Sequence, residues 1–216
     1  MTAWLTRWGP LAGALSAVMF VVSFITGPST PDSNQTGAQV ISWYTAHHTG
    51  RILSDLFAGL AMVLFIAFAV VLAGHVRRGE RWVAVGPVAG ALALGVGLTV
   101  ALAFDLLLAL DTKYLTDSSA QTLNLLQNDF FLPAVLGFGL FGVLGGLAVV
   151  AGRILPVWMG WVLFVIGIAA LVPPISWFAF LATLLWVLIA GIWMTVQGPP
   201  TVEQAEPVPA DERVLA

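Results

Sequence analysis

Residues 154–202 read ILPVWMGWVLFVIGIAALVPPISWFAFLATLLWVLIAGIWMTVQGPPTV, 49 consecutive positions without an Asp, Glu, Lys or Arg. A helix rising 1.5 Å per residue crosses about 30 Å of hydrocarbon in about 20 residues. The run is therefore too long for one span and long enough for two. Pro173-Pro174, with Ser176 just after, supplies the break. Proline removes a backbone donor and ends a helix, and a serine behind it favours a restart. The stretch reads as two spans, about 156–172 and 175–196, joined by a minimal turn.

The same reasoning carries back along the chain. Uncharged intervals place further spans at about 9–27, 51–74, 83–106 and 130–151. The expected fold is an all-α polytopic membrane protein, a six-transmembrane-helix bundle forming a single domain over residues 1–196. Composition agrees: 59% of the 216 residues are hydrophobic and 9% charged, against about 25% charged in soluble domains. The first span has an apolar stretch, Pro10 to Ile25, longer than a signal-peptide core, and no small-x-small cleavage site follows it. It is read as a retained anchor. Residues 197–216 are Pro-rich and acidic, and read as a disordered cytoplasmic tail.

Orientation follows from the cations. With the N-terminus inside, Arg7, Arg77, Arg78, Arg81, Arg153 and Arg213 face the cytoplasm, and Arg51 and Lys113 face out. That is the positive-inside pattern, so both termini are expected to be cytoplasmic (N-in/C-in) in a plasma-membrane protein. Most of the Trp residues fall near expected span ends; mid-span Trp186 is expected to pack inside the bundle. Gly9/Gly13, Gly86/Gly90 and Gly142/Gly146 are small-xxx-small pairs that let helices approach closely. They point first to packing within the chain, and second to self-association or a membrane partner protein through Gly-rich faces. No internal repeat is visible.

Several chemistries are excluded. There is no cysteine, hence no disulfide, thiolate or Cys-ligated metal. The sequence has no long basic run for nucleic acid, no phosphate-binding loop, no nucleophile elbow and no H-E-x-x-H pair. Ser42, His47, His48 and Asp55 faintly resemble the site of seven-span zinc hydrolases, but those need a further histidine pair, and the remaining His75 is expected across the membrane. Lys113 is the sole lysine and is not mid-span, which excludes a retinal Schiff base. No cofactor, metal or catalytic residue is expected.

What polar content remains gathers on the outer side, in two long expected loops, about 28–50 and 107–128. Asp55 follows Arg51 by four, so the two share a helix face, and Asp55 is expected in the first turn of the second span, where the helix dipole favours an anion. Asp129, beside Asn128, is expected to cap the fourth span. Asp105 interrupts an uncharged run near a helix C-terminus, where the dipole disfavours a carboxylate. An ionisable residue at such depth is by default functional and paired; an interfacial, hydrated aspartate is the competing reading. The expected site is an outer ligand-binding cluster of Arg51, Asp55 and Asp105, capped by the loop residues His47 and His48.

Three groups of residues carry a resemblance. They are Trp43-Tyr44-Thr45-Ala46-His47-His48 leading into Arg51-Ile52-Leu53, Gly74-His75-Val76-Arg77-Arg78 at the end of the second span, and Leu155-Pro156-Val157-Trp158-Met159-Gly160-Trp161 before the fifth. With Pro31-Asp32 and Leu123-Asn124, this pattern resembles six-span membrane proteins of actinobacteria and is similar to the DUF4386 group, over about residues 9–196. The resemblance implies a fold and a location; it implies no activity. From the residues, the leading function is a non-enzymatic accessory or sensor protein with an extracytoplasmic polar pocket. The alternatives are a small transporter or channel, and a membrane enzyme acting on lipid or cell-envelope substrates at the outer face.

Overall fold

The computed structural model describes residues 7–76, 81–129 and 131–197, and every regular element among them is helical. The helices are α1 (Leu11–Thr26), α2 (Gly37–Gly74), α3 (Arg81–Leu110), α4 (Asp117–Asp129), α5 (Phe131–Gly152), α6 (Val157–Ala170) and α7 (Ser176–Gln197). Turns of 3-10 helix lie at Thr112–Tyr114 and at Pro173–Ile175. The second of these is the break at Pro173-Pro174, and it separates α6 from α7.

Six of the helices close a ring. α1 packs on α2, α2 on α3, α3 on α5, α5 on α6, α6 on α7, and α7 back on α1. The short, polar α4 packs against α2 and α3. Four apolar helical stretches are long enough to cross a membrane: α2, α3 from Val83, Asp117–Gly152 (which contains α5) and α7. α1 and α6 are apolar but shorter, with 16 and 14 residues, or about 24 Å and about 21 Å of helix. The ring's exterior exposes Ile25, Leu56, Val63, Val96, Val165 and Phe178. An apolar exterior of this kind suits a hydrocarbon surround and marks a membrane or protein contact.

Two cores hold the fold together. The larger fills the ring with Phe65, Phe68, Leu72, Leu94, Phe141 and Leu163, all fully buried. Trp186 is buried there, and its indole donates a 3.0 Å hydrogen bond to the Met159 carbonyl, which satisfies the donor away from water. The glycine pairs are the seams between helices. A Cβ on Gly146 would sit 2.6 Å from the Gly160 carbonyl oxygen across the α5–α6 contact, Gly86 and Gly90 meet Leu144 and Phe141 across α3–α5, and Gly13 meets Phe68 across α1–α2. The smaller core, Val40, Tyr44, Leu108, Ala109 and Ala120, joins the N-terminal part of α2 to α3 and α4.

That smaller core corrects the expected loops. Residues 37–50 are not loop: they form the first turns of α2, which runs unbroken for 38 residues. The backbone N–H of Thr36 donates to Gln39 Oε1 at 2.9 Å and fixes this early start. The second expected loop contains α4, begun by reciprocal hydrogen bonds between Thr116 and Ser119. Asp55 is therefore about five turns into α2 and not in a first turn, so the helix dipole does not account for it. Asp129, expected as a cap, is itself helical. Of the expected tail, all but Gln197 lies outside the described residues, as do Arg77, Arg78 and Arg213.

Candidate functional site

Tyr44, Arg51 and Asp55 stand seven and four residues apart on α2, so about three helical turns bring them onto one face. Asp105 comes from α3, which packs alongside. The Arg51 guanidinium joins the acids: Nη2 donates to Asp55 Oδ1 at 3.2 Å and also to Asp105 Oδ2. Nη1 donates to the Pro28 carbonyl at 3.3 Å. The Tyr44 hydroxyl donates to Asp105 Oδ1, and Gln127 Oε1 of α4 lies 3.2 Å from the same hydroxyl.

These groups are out of water. Asp55 is 4% exposed and Asp105 1%. Burying a charge costs several kcal/mol unless partners replace its hydration. Asp105 is fully supplied, with a guanidinium on one oxygen and a phenol on the other. Asp55 is half supplied: its Oδ2 is buried without a partner, and so is Arg51 Nε. One guanidinium faces two carboxylates, so the cluster holds one negative charge in surplus when both acids are ionised.

The cluster lines a cavity of about 310 Å³ inside the ring. Ser23, Thr30, Ser54, Gln127 and Asn128 add polar lining, and Phe20, Phe24, Leu98, Phe138, Trp177 and Phe180 add apolar lining. The aromatic walls hold one another edge to face, with Phe138 and Phe180 centroids 4.7 Å apart and Phe20 and Phe180 5.9 Å apart. Ser54 donates to the Ser23 carbonyl at 2.9 Å and shares a 3.1 Å contact with the Ser23 hydroxyl, tying α2 to α1. α4 roofs the site. Its Asn124 donates to the Asp32 carbonyl at 3.1 Å, which fastens the segment between α1 and α2 beneath it.

Of the sequence-derived site residues, Arg51, Asp55 and Asp105 come together, and His47 and His48 do not join them. His47 stacks on Trp43 with centroids 4.6 Å apart and contacts the Trp43 carbonyl at 2.8 Å. His48 contacts the Thr49 hydroxyl. Both are exposed on α2 and neither lines the cavity. Tyr44 is the member that sequence reasoning missed. Its spacing to Arg51 was the available signal, and it becomes readable once α2 is extended back to Gly37. The aromatic walls come from α1, α5 and α7 and carry no local motif. Among the described residues, no group of three His, Cys, Asp or Glu side chains is placed to hold a metal ion.

Chemically, the arrangement offers a fixed cation, an acid acceptor with a free oxygen, and a largely apolar pocket. It offers no histidine base beside the Ser23 and Ser54 hydroxyls. No family model, curated protein or solved structure matches the chain.

Proposed function

We propose that this chain is a six-span plasma-membrane protein with both termini in the cytoplasm, and that it binds a small amphiphilic molecule from the outer side as a non-enzymatic sensor or accessory protein. The observation that carries the reading is the cavity itself: a buried, incompletely satisfied charge cluster and aromatic side chains line the same volume. Such a concave, mostly apolar volume with a few convergent polar groups is how small-molecule sites are built. Ring closure through α1 and α6 supports counting these shorter helices with the other four. The cation bias supports the orientation, which puts α4 and the cluster outside. The partner shared by every version of this reading is the lipid bilayer. The actinobacterial six-span resemblance rests on the residues quoted for it.

Two experiments test the proposal. Native mass spectrometry of protein extracted in mild detergent should show a retained small molecule, and Ala101→Phe, which fills the cavity, should remove it; equal retention by both would place the molecule elsewhere. For orientation, Gly79→Cys is the only thiol in its chain. It should react with an impermeant maleimide only after the membrane is opened, and labelling from outside intact cells would reverse the topology.

A further inference from the structure

We infer that the occupant of this cavity is a monocationic amphiphile, a protonated amine on an apolar body, with its ammonium group at Asp55 Oδ2. The inference rests on the binding reading above and narrows it to a chemical class.

Charge decides the head group. Arg51 is committed to both acids through one nitrogen and to Pro28 through another. Asp105 accepts on both oxygens. Asp55 is the acid left short: 96 parts in 100 of it are buried, it lines the cavity, and its Oδ2, like Arg51 Nε, has no hydrogen-bond partner. A buried carboxylate oxygen without a donor costs more than any neutral unsatisfied group. What completes it is a donor, and what balances the surplus is a single positive charge. An ammonium group supplies both.

Competing occupants fit less well. A bare metal ion needs several oxygen ligands converging on one point, and among the described residues no group of three His, Cys, Asp or Glu side chains is placed to hold one. An anionic head would add to the negative surplus. A neutral alcohol would satisfy the hydrogen bond and leave the charge. The apolar lining argues for the apolar body. Phe20, Phe24, Phe138, Trp177 and Phe180 present ring surface to the volume, and aromatic faces attract cations as well as burying hydrocarbon. An aliphatic amine, with a pKa near that of lysine at about 10.4, enters as the cation at neutral pH.

Trp177 gives a local readout. Purified protein in maltoside detergent is titrated with 8-bromooctylamine, 8-bromooctanol and 8-bromooctanoate, and bromine quenching is recorded for wild type and Trp177→Phe. The difference between the two isolates the cavity signal. The amine should quench saturably, be displaced by octylamine, and bind about tenfold or more tightly than the alcohol, the scale of one charge-assisted hydrogen bond. The carboxylate should show no saturable component, and Asp55→Asn should remove the amine's advantage over the alcohol. Equal binding of amine and alcohol would overturn the inference and leave the cavity reading standing, as would an advantage retained in Asp55→Asn. Absence of saturable quenching by all three probes would overturn the cavity reading as well. The wild-type series decides the matter even where Asp55→Asn does not fold.

Discussion

At the scale of single residues, the cluster is an unequal balance, and its parts should respond unequally. Arg51→Met leaves two buried carboxylates facing each other and should cost about 3–5 kcal/mol, the scale for breaking a buried ion pair by removing one partner. Asp105→Asn leaves Arg51 and Asp55 as a neutral pair and should cost less than Arg51→Met; thermal unfolding in one detergent ranks the two. The reverse order would mean that Asp55 does not hold a charge. Tyr44→Phe removes the phenol donor from Asp105 Oδ1 and should cost about 1–3 kcal/mol, the penalty for leaving a buried acceptor short. His47→Ala and His48→Ala should leave binding in the cavity unchanged in the same quenching titration, because neither side chain lines it. The acids and Arg51 were legible in the sequence because a charge stands out in an apolar run. The histidines were misjudged because residues 37–50 were read as loop, which left their directions unfixed; a helix points them away.

At the scale of elements, the seams depend on glycine where backbones meet. Gly146→Val should destabilise the protein by about 1–3 kcal/mol, the range for overpacking, since the added Cβ would meet the Gly160 carbonyl and the Phe164 backbone. Gly59 is the control. A Cβ there meets nothing within 4 Å, and Gly59→Ala within α2 should stabilise by about 0.5–1 kcal/mol through the restricted unfolded backbone. Melting curves of the two variants under identical conditions should move in opposite directions. Helix existence was legible from uncharged intervals because a helix buried in hydrocarbon needs little beyond apolar length. The beginnings of α2 and α4 were not, because side chains such as Gln39 and Ser119 fix them, and such bonds leave a weak trace in hydropathy.

At the scale of the whole molecule, ring order turns scattered residues into a site. Phe20, Phe138 and Trp177 lie on α1, α5 and α7, which are far apart in sequence. They meet because α7 returns to α1 and α5 sits beside α3. That closure was invisible in the sequence, since each span could choose its neighbours only through shape. One further property belongs to this scale. α2 is a single rod of 38 residues, and Arg51, tied to α3 through Asp105 and to the segment before α2 through Pro28, divides it into arms of about 21 Å and about 35 Å. The longer arm is packed along its length, with Phe65, Phe68 and Leu72 fully buried, so α2 is a strut: the arm that carries Tyr44 and the arm that enters the main core share one rigid axis. Spin labels at positions 45 and 75 should therefore keep one separation, about 45 Å along the axis, with the cavity empty and filled; a change on filling would show that the rod bends.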